Sequence, residues 1–164
     1  MLVNKRIPLR CRAKIYCACI RPVMLYGSET WSTTKVIENM IKRNDCRMLR
    51  YMSHVKWEDG FSNEDVMREC GVEDVLMVLR RNRLRWYGHV MRRKEGHIIR
   101  RAMELEVEAR RGRGRPKKTW SSCIQEDLRN LNLREEDIHD RREWERLIRR
   151  PTPSLARANR DVKR

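Results

Sequence analysis

The chain lacks most of the features that mark membrane, secreted and metal-binding proteins. Only one of its 164 residues is Phe, and no apolar run approaches the roughly 18 residues that a membrane-spanning helix needs. Its six cysteines form no Cys-x-x-Cys pair, and its four histidines do not stand at zinc-finger spacing from them. The first residues lack the apolar stretch of a secretory signal. We therefore expect a nuclear or cytoplasmic protein with reduced, partly buried thiols, no metal site and no membrane contact.

Catalytic motifs are missing as well. The sequence has no Gly-x-Ser-x-Gly elbow, no Gly-x-x-x-x-Gly-Lys phosphate loop and no Asp-Asp pair of the polymerase kind. Its carboxylates stand among arginines, which is typical of solvated helix faces. The sequence therefore predicts no catalytic residue, no cofactor and no enzymatic activity of the chain on its own.

Positive charge is abundant and unevenly placed. The formal net charge is +16, and residues 80–118 hold fifteen Lys/Arg against four Glu. Such a concentration is typical of a surface that binds a polyanion. Within residues 110–118, six of nine side chains are basic, two residues are Gly, one is Pro and none is acidic. This segment cannot bury a core, but it can lay guanidinium and ammonium groups along a phosphate backbone.

Hydrophobic periodicity predicts an all-α fold of small helical bundle units joined by a basic loop. Helices are expected over residues 9–20, 34–52, 62–71, 73–92, 119–132 and 135–149, and Pro22 should end or kink the first. Residues 98–109 fit a helix or a strand, and the alternation of Glu with apolar residues favours a short strand. The predicted regions are a flexible N-terminus (1–8), a helical region (9–97), a basic linker (98–118), a C-terminal helical pair (119–150) and a disordered tail (151–164).

Ten basic side chains are the candidate nucleic-acid contacts. Four lie on one predicted helix and six in the basic segment: Arg80, Arg81, Arg83, Arg85, Arg110, Arg111, Arg113, Arg115, Lys117 and Lys118.

The basic segment admits three interpretations. Residues 113–116 match the Arg-Gly-Arg-Pro core of an AT-hook, whose arginines enter the minor groove of A·T-rich DNA. A linker that contacts phosphates without sequence choice, or a nuclear-import signal, explains the same residues. Two nearby tryptophans, Trp86 and Trp120, could stack on bases. Their helical spacing with Val90 and Ile124 favours packing in the core instead, and His89 is expected to be structural.

Three blocks give the chain a resemblance to a known family. They are residues 22–31 (PVMLYGSETW), 83–92 (RLRWYGHVMR) and 112–120 (GRGRPKKTW), in that order. Over residues 9–149 the chain resembles the region C-terminal to the polymerase core of non-LTR (LINE-type) retrotransposon endonuclease–reverse transcriptases. The resemblance implies a thumb-like and post-thumb region that grips a template–primer duplex beside a polymerase palm. It also implies that Arg21 occupies a position where an aliphatic residue is expected.

The sequence thus favours a fragment of a retrotransposon reverse transcriptase that binds DNA, RNA or hybrid duplex through phosphate contacts. Two alternatives stay open. One is a helical protein–protein interaction module whose basic face binds an acidic partner. The other is an AT-hook or helix-turn-helix-like DNA-binding protein, because residues 62–92 follow a helix, glycine turn, basic helix outline.

Overall fold

A computed structural model describes residues 2–105 and 117–150, and within these ranges every regular element is a helix. The α-helices are α1 (Leu9–Ile15), α2 (Arg21–Met24), α3 (Lys35–Ser53), α4 (Asn63–Cys70), α5 (Val75–Met91), α6 (Ile98–Glu104), α7 (Trp120–Leu131) and α8 (Arg141–Leu147). A π-helical segment, Tyr16–Ile20, joins α1 to α2, and 3₁₀ turns cover Ser28–Thr30, Trp57–Asp59 and Glu135–Ile138. The all-α prediction is confirmed. A search of the described helices for an apolar stretch of membrane-spanning length finds no candidate.

The chain divides into two compact units. The first unit comprises the residues up to Ser28 together with Thr33–Leu79, and the second comprises Glu29–Ser32 and the described residues from Arg80 onward. The division falls inside α5, after Leu79, whereas the sequence places its region boundaries after residues 97 and 118. Most of the predicted basic linker, residues 106–116, and the predicted tail, residues 151–164, lie outside the described residues.

Local sequence sets the helix ends. The side chains of Thr34, Ser62 and Thr119 each accept a hydrogen bond from a backbone N–H of the first helical turn of α3, α4 and α7. Gly71 ends α4 with φ +66°, and Asn132 ends α7 with φ +51°, both in the left-handed region. The helix boundaries predicted at Ser62, Gly71, Thr119 and Asn132 are confirmed.

Pro22 does not end the first helical run. The π-helical turn Tyr16–Ile20 precedes it, and helical backbone continues to Met24. Proline cannot donate a backbone hydrogen bond, and its ring crowds the carbonyl four residues earlier. The π-helical turn directly before Pro22 coincides with this disruption of the α-helical hydrogen bonds.

Two predicted elements are wrong. Residues 98–104 form α6 rather than a strand, and the ring of His97 caps it by accepting from Ile99 N–H at 3.3 Å. The helix expected over residues 135–149 is broken into a 3₁₀ turn and α8, because Asp140 caps a new helix start. The short carboxylate side chain of Asp140 accepts hydrogen bonds from two backbone N–H groups. In an uninterrupted helix these N–H groups would donate to backbone carbonyls of the preceding turn.

The core of the first unit contains a buried ion pair. Apolar side chains from α1, the π-helical segment, α3 and α4 form its main cluster: Ala13, Tyr16, Leu49, Met52, Val66, Met67 and Cys70. Beside them Arg21 donates through Nε and Nη2 to the two carboxylate oxygens of Asp45, at 3.0 and 2.8 Å. The Tyr16 hydroxyl donates to Asp45 Oδ1 at 2.7 Å. The unexpected Arg21 is therefore held by a buried carboxylate that a phenol hydroxyl also contacts.

The second unit has a separate core built from α5, α7 and α8. Its buried members are Leu84, Tyr87, Ile124, Leu128, Leu131, Ile138, Trp144 and Ile148. Trp144 is fully buried, and its indole N–H donates to the carbonyl of Leu84 at 3.1 Å. This bond and the packing around it fix α8 against α5, which positions the basic side chains described next.

Candidate nucleic-acid interface

The predicted basic face of α5 is not one continuous exposed surface. Arg83 is only 2% exposed, and its Nε donates to Asp127 Oδ2 at 2.7 Å. Arg80, one helical turn earlier, donates from Nε to Asp127 Oδ1 at 3.1 Å. Both guanidinium groups therefore point toward α7, since residues three apart share a helix face. Burial removes Arg83 from the expected set of phosphate contacts.

Asp127 is itself only 3% exposed and accepts hydrogen bonds from both arginines. Burial raises the pKa of its carboxyl above the usual range, while Arg83 and Arg80 act in the opposite direction. The arginines thus offset part of the cost of burying a carboxylate. Sequence reasoning missed this role because Asp127 stands 44 residues from Arg83.

The other two predicted arginines of α5 are more accessible. Arg81 is half-buried and Arg85 is exposed. Arg85 donates from Nε to Glu145 Oε1 of α8 at 3.1 Å. Such an exposed pair contributes little to stability and can exchange its carboxylate for another anion.

The basic segment is described only at its end. Lys117 is exposed, and Lys118 Nζ lies 2.6 Å from Glu126 Oε2 of α7. Arg110, Arg111, Arg113 and Arg115 lie outside the described residues. The AT-hook, linker and import interpretations of this segment therefore stay predictions.

A groove in the second unit gathers basic side chains, of which the sequence analysis singled out only Arg85. It has a volume of about 710 Å³ and is open to solvent. We call it the α5–α8 groove and define it by six lining residues from these helices and the turn after α5: Arg85, Trp86, His89, Arg92, Arg93 and Arg141. Two carboxylates, Glu29 and Glu145, also line it. Cations outnumber anions, so the groove favours a negatively charged ligand.

Two aromatic rings stack inside this groove. The Trp86 and His89 ring centroids are 5.4 Å apart with an interplanar angle of 17°. Trp86 is half-buried and is not part of the apolar core, so the packing prediction fails for this residue. The prediction holds for Trp120, which packs against the core and donates its indole N–H to Glu29 O at 2.7 Å. A spacing of three residues between aromatic rings on a helix is the signal that could have identified the stack.

The charges around the stack repel one another. Burial and the nearby guanidinium groups of Arg93, Arg92 and Arg141 lower the pKa of His89 below its usual value. Burial, followed by Arg141, also lowers the pKa of Arg92. An anion in the groove would relieve this repulsion, because an opposite charge within a few ångströms favours the charged form.

Hydrogen bonds hold two of the groove arginines. Arg92 donates from Nη1 to the carbonyl of Ile138 at 3.0 Å, which ties the end of α5 to the turn before α8. Arg93 Nη2 lies 3.1 Å from His89 Nε2. Arg141 is exposed at the first position of α8, after the Asp140 cap. Sequence reasoning could not place Arg141 here, since it stands 48 residues after Arg93 and only the fold brings the two together.

Cysteine and histidine side chains do not assemble into a metal site within the described part of the chain. No group of three or more His, Cys, Asp or Glu residues has the arrangement to hold an ion among residues 2–105 and 117–150. Cys46, Cys70 and Cys123 are buried, whereas Cys11 and Cys19 are exposed. Burial raises the pKa of the Cys70 thiol to about 11.

Comparison with known proteins yields one informative similarity. No family model matches the chain, and no solved structure matches it. A Caenorhabditis elegans protein named as uncharacterized and transposon-derived is 26% identical over 153 residues. The match covers 86% of this chain and 55% of the relative, so the chain spans about half the length of the protein it matches. The similarity supports a transposon-related origin for this chain.

Proposed function

We propose that this chain is the nucleic-acid-binding part of a retrotransposon reverse transcriptase and that it binds mainly through phosphate contacts. The α5–α8 groove is the observation that carries the proposal. Four guanidinium groups converge there from two helices that a buried core holds in place. Guanidinium forks match phosphate oxygens in shape and charge. The transposon-derived relative and the resemblance of residues 9–149 to LINE-type reverse transcriptases support this choice of ligand.

The proposed role is positioning rather than chemistry. Arginines 85, 93 and 141 and the basic segment 110–118 would neutralise phosphates of a template–primer, while a palm region elsewhere in the longer protein carries out synthesis. We propose that this chain has no polymerase or nuclease activity of its own. Primer-extension and nicking assays with Mg²⁺ or Mn²⁺ test this, and activity that a point mutation in the chain abolishes would contradict it.

The salt dependence of binding tests the proposal directly. If about six phosphates are engaged, the slope of log K against log salt on duplex DNA should be near −5. The double change Arg93→Gln and Arg141→Gln should reduce the magnitude of that slope by about 1.8, which is about 0.9 for each lost phosphate contact. Fluorescence anisotropy at several KCl concentrations measures both values.

A charge-matched control separates the groove from general attraction. The double change Lys5→Gln and Arg6→Gln removes the same net charge from exposed positions of the first unit. We expect the control to leave the slope within about 0.5 of the wild-type value, since charges outside the binding surface release no counterions on binding. Equal effects of the two double changes would contradict a phosphate site in the groove.

A second candidate function is a protein–protein interaction module. The outer face of α3 favours it, since Val36, Met40 and Tyr51 are apolar side chains exposed to solvent. Exposed apolar side chains along one helix are typical of a surface that a partner covers. Absence of nucleic-acid binding at low salt would favour this candidate over the first.

A further inference from the structure

The stacked pair in the α5–α8 groove has a chemistry that phosphate binding does not use. Phosphate recognition needs cations and N–H donors, whereas Trp86 and His89 supply a pair of stacked aromatic rings. We infer that the groove binds an unpaired nucleotide, whose base stacks on the Trp86–His89 pair while its phosphates contact the surrounding arginines. This inference rests on the proposed function and adds an unpaired nucleotide to the ligand that it assigns to the groove.

The geometry of the two rings supports base stacking. They lie nearly parallel, with 17° between their planes and 5.4 Å between their centroids. His89 is exposed and Trp86 is half-buried, so the pair is accessible from the groove. Every nucleobase has a π face that can stack on an aromatic side chain, and this makes such platforms tolerant of sequence. Bases within a duplex already stack on their neighbours, so the platform discriminates in favour of unpaired strands.

The arginines around the rings complete a nucleotide site. Arg93 Nη2 lies 3.1 Å from the His89 ring, so a phosphate that reaches this guanidinium brings its base to the platform. Arg141 lines the same groove from α8. Burial and the surrounding guanidinium groups lower the pKa of His89 below its usual value. Glu29 and Glu145 on the groove wall can accept hydrogen bonds from base amino groups.

Binding of a single-stranded probe and a duplex probe by matched tryptophan variants tests the inference. The probes are a fluorescein-labelled 12-nucleotide oligothymidylate and a hairpin duplex with the same number of phosphates, whose loop is a non-nucleotide linker so that it offers no unpaired base. Trp86→Ala should weaken binding of the single strand by about tenfold and binding of the hairpin by less than about twofold. Trp57→Ala is the matched control, because Trp57 is an exposed tryptophan of the first unit. It should change neither affinity.

Photocrosslinking of the unaltered protein gives a test that does not depend on any variant folding. A 12-nucleotide single strand carrying 5-bromouracil should crosslink to the tryptic peptide of residues 86–92, which contains both rings. Crosslinks that leave this peptide unlabelled while the strand is bound would overturn the inference. Equal losses of single-strand and hairpin affinity in Trp86→Ala, or no loss at all, would overturn it too.

The outcomes also separate this inference from the proposed function. If both probes bind with a steep salt dependence and Trp86→Ala changes neither affinity, the result supports phosphate binding and contradicts base stacking. If neither probe binds the unaltered protein at low salt, the result contradicts both the proposed function and the inference that rests on it.

Discussion

Arg83 behaves as a core residue in spite of its charge. Its Nε donates to Asp127 Oδ2, and its Nη1 lies 3.5 Å from the carbonyl oxygen of Trp31. A lysine at this position would keep the charge but would present one compact ammonium instead of a planar fork. Keeping a positive charge at position 83 is therefore not enough to preserve the contacts with Asp127 and Trp31.

We expect Arg83→Lys to lower the free energy of unfolding by about 2 kcal/mol, because the buried Asp127 carboxylate loses a well-placed donor. Arg85→Lys, at an exposed ion pair on the same helix, should change it by less than about 0.5 kcal/mol. Urea denaturation of the two variants measures the difference. Similar losses of unfolding free energy for both variants would mean that the burial of Arg83 does not add to its contribution to stability.

Gly88 lies in α5 where the helix passes Trp144. A Cβ at this position would lie 2.5 Å from Trp144 Nε1, well inside the contact distance of the two atoms. Glycine in the middle of a helix normally costs about 1 kcal/mol relative to alanine. Close approach of α8 to α5 is the reason that glycine is suited to this position.

Gly88→Ala should therefore destabilise the protein by about 1–3 kcal/mol, although the same change stabilises most helices. In a Trp144→Phe background, where the ring is smaller, the added methyl group should cost less. A double-mutant cycle in urea measures this coupling. A stabilising effect of Gly88→Ala would show that Trp144 moves aside freely.

Cysteine reactivity should follow burial and thiol pKa. With a pKa of about 11, Cys70 holds only about 0.1% thiolate at pH 8, and the thiolate is the form that reacts. The thiolate fraction rises with pH, so its reaction should accelerate tenfold for each unit up to about pH 11. Iodoacetamide at pH 8 followed by peptide mass spectrometry should find Cys11 and Cys19 modified and Cys70 intact. Rapid labelling of Cys70 in the folded protein would contradict its burial.

At the scale of elements, the cap of α8 links stability to the candidate site. Asp140 Oδ1 accepts from the backbone N–H groups of Arg142 and Glu143, at 2.8 and 3.1 Å. The helix that starts there carries Arg141 into the groove and Trp144 into the core. The Asp140 side chain thus sets where α8 begins, and with it which α8 residues face the groove and which face the core.

Removal of this cap should have a measurable cost. Asp140→Ala should lower the free energy of unfolding by about 1 kcal/mol, whereas Asp140→Ser, which keeps an acceptor, should lose only a few tenths. Thermal unfolding followed by circular dichroism compares the two. If serine and alanine are equally destabilising, the cap is not the source of the effect.

The elements also show what the sequence can predict. Caps at Ser62 and Thr119 and endings at Gly71 and Asn132 follow from local chemistry, so the sequence predicts them correctly. The strand prediction is wrong at residues 98–104 because it relied on the alternating Glu104, Glu106 and Glu108, which begin only at the last residue of α6. Within α6 the apolar residues Ile98, Ile99, Ala102 and Met103 follow helical spacing. The break at Asp140 was missed because apolar spacing continues across it, through Ile138 and Trp144.

The candidate site was only partly predictable for a different reason. Charge density points to residues 80–118, and Arg85, Trp86 and His89 fall within that range. Which arginines are buried depends on Asp127, and the far wall of the groove depends on Arg141. Both come from distant sequence, and only the packing of α7 and α8 against α5 brings them into place.

For the whole molecule, the net charge of +16 acts against compactness. Like charges on a folded surface repel one another, and mobile ions screen that repulsion. The thermal midpoint should therefore rise by a few degrees between about 0.02 and 0.3 M KCl. Differential scanning fluorimetry measures it. A midpoint that falls with added salt would mean that the ion pairs outweigh the repulsion.

The buried arginines restrict which substitutions this sequence can accept. Arg12, Arg21, Arg50 and Arg83 are each less than 10% exposed, and each donates to fixed oxygen atoms of its own unit. Some arginine and lysine codons differ by one nucleotide, so a lineage selected only for positive charge would exchange the two freely. At these four positions the exchange is not neutral, because an ammonium cannot reach the same set of acceptors. A saturation mutagenesis library selected for folding should retain lysine at surface arginines and lose it at these four.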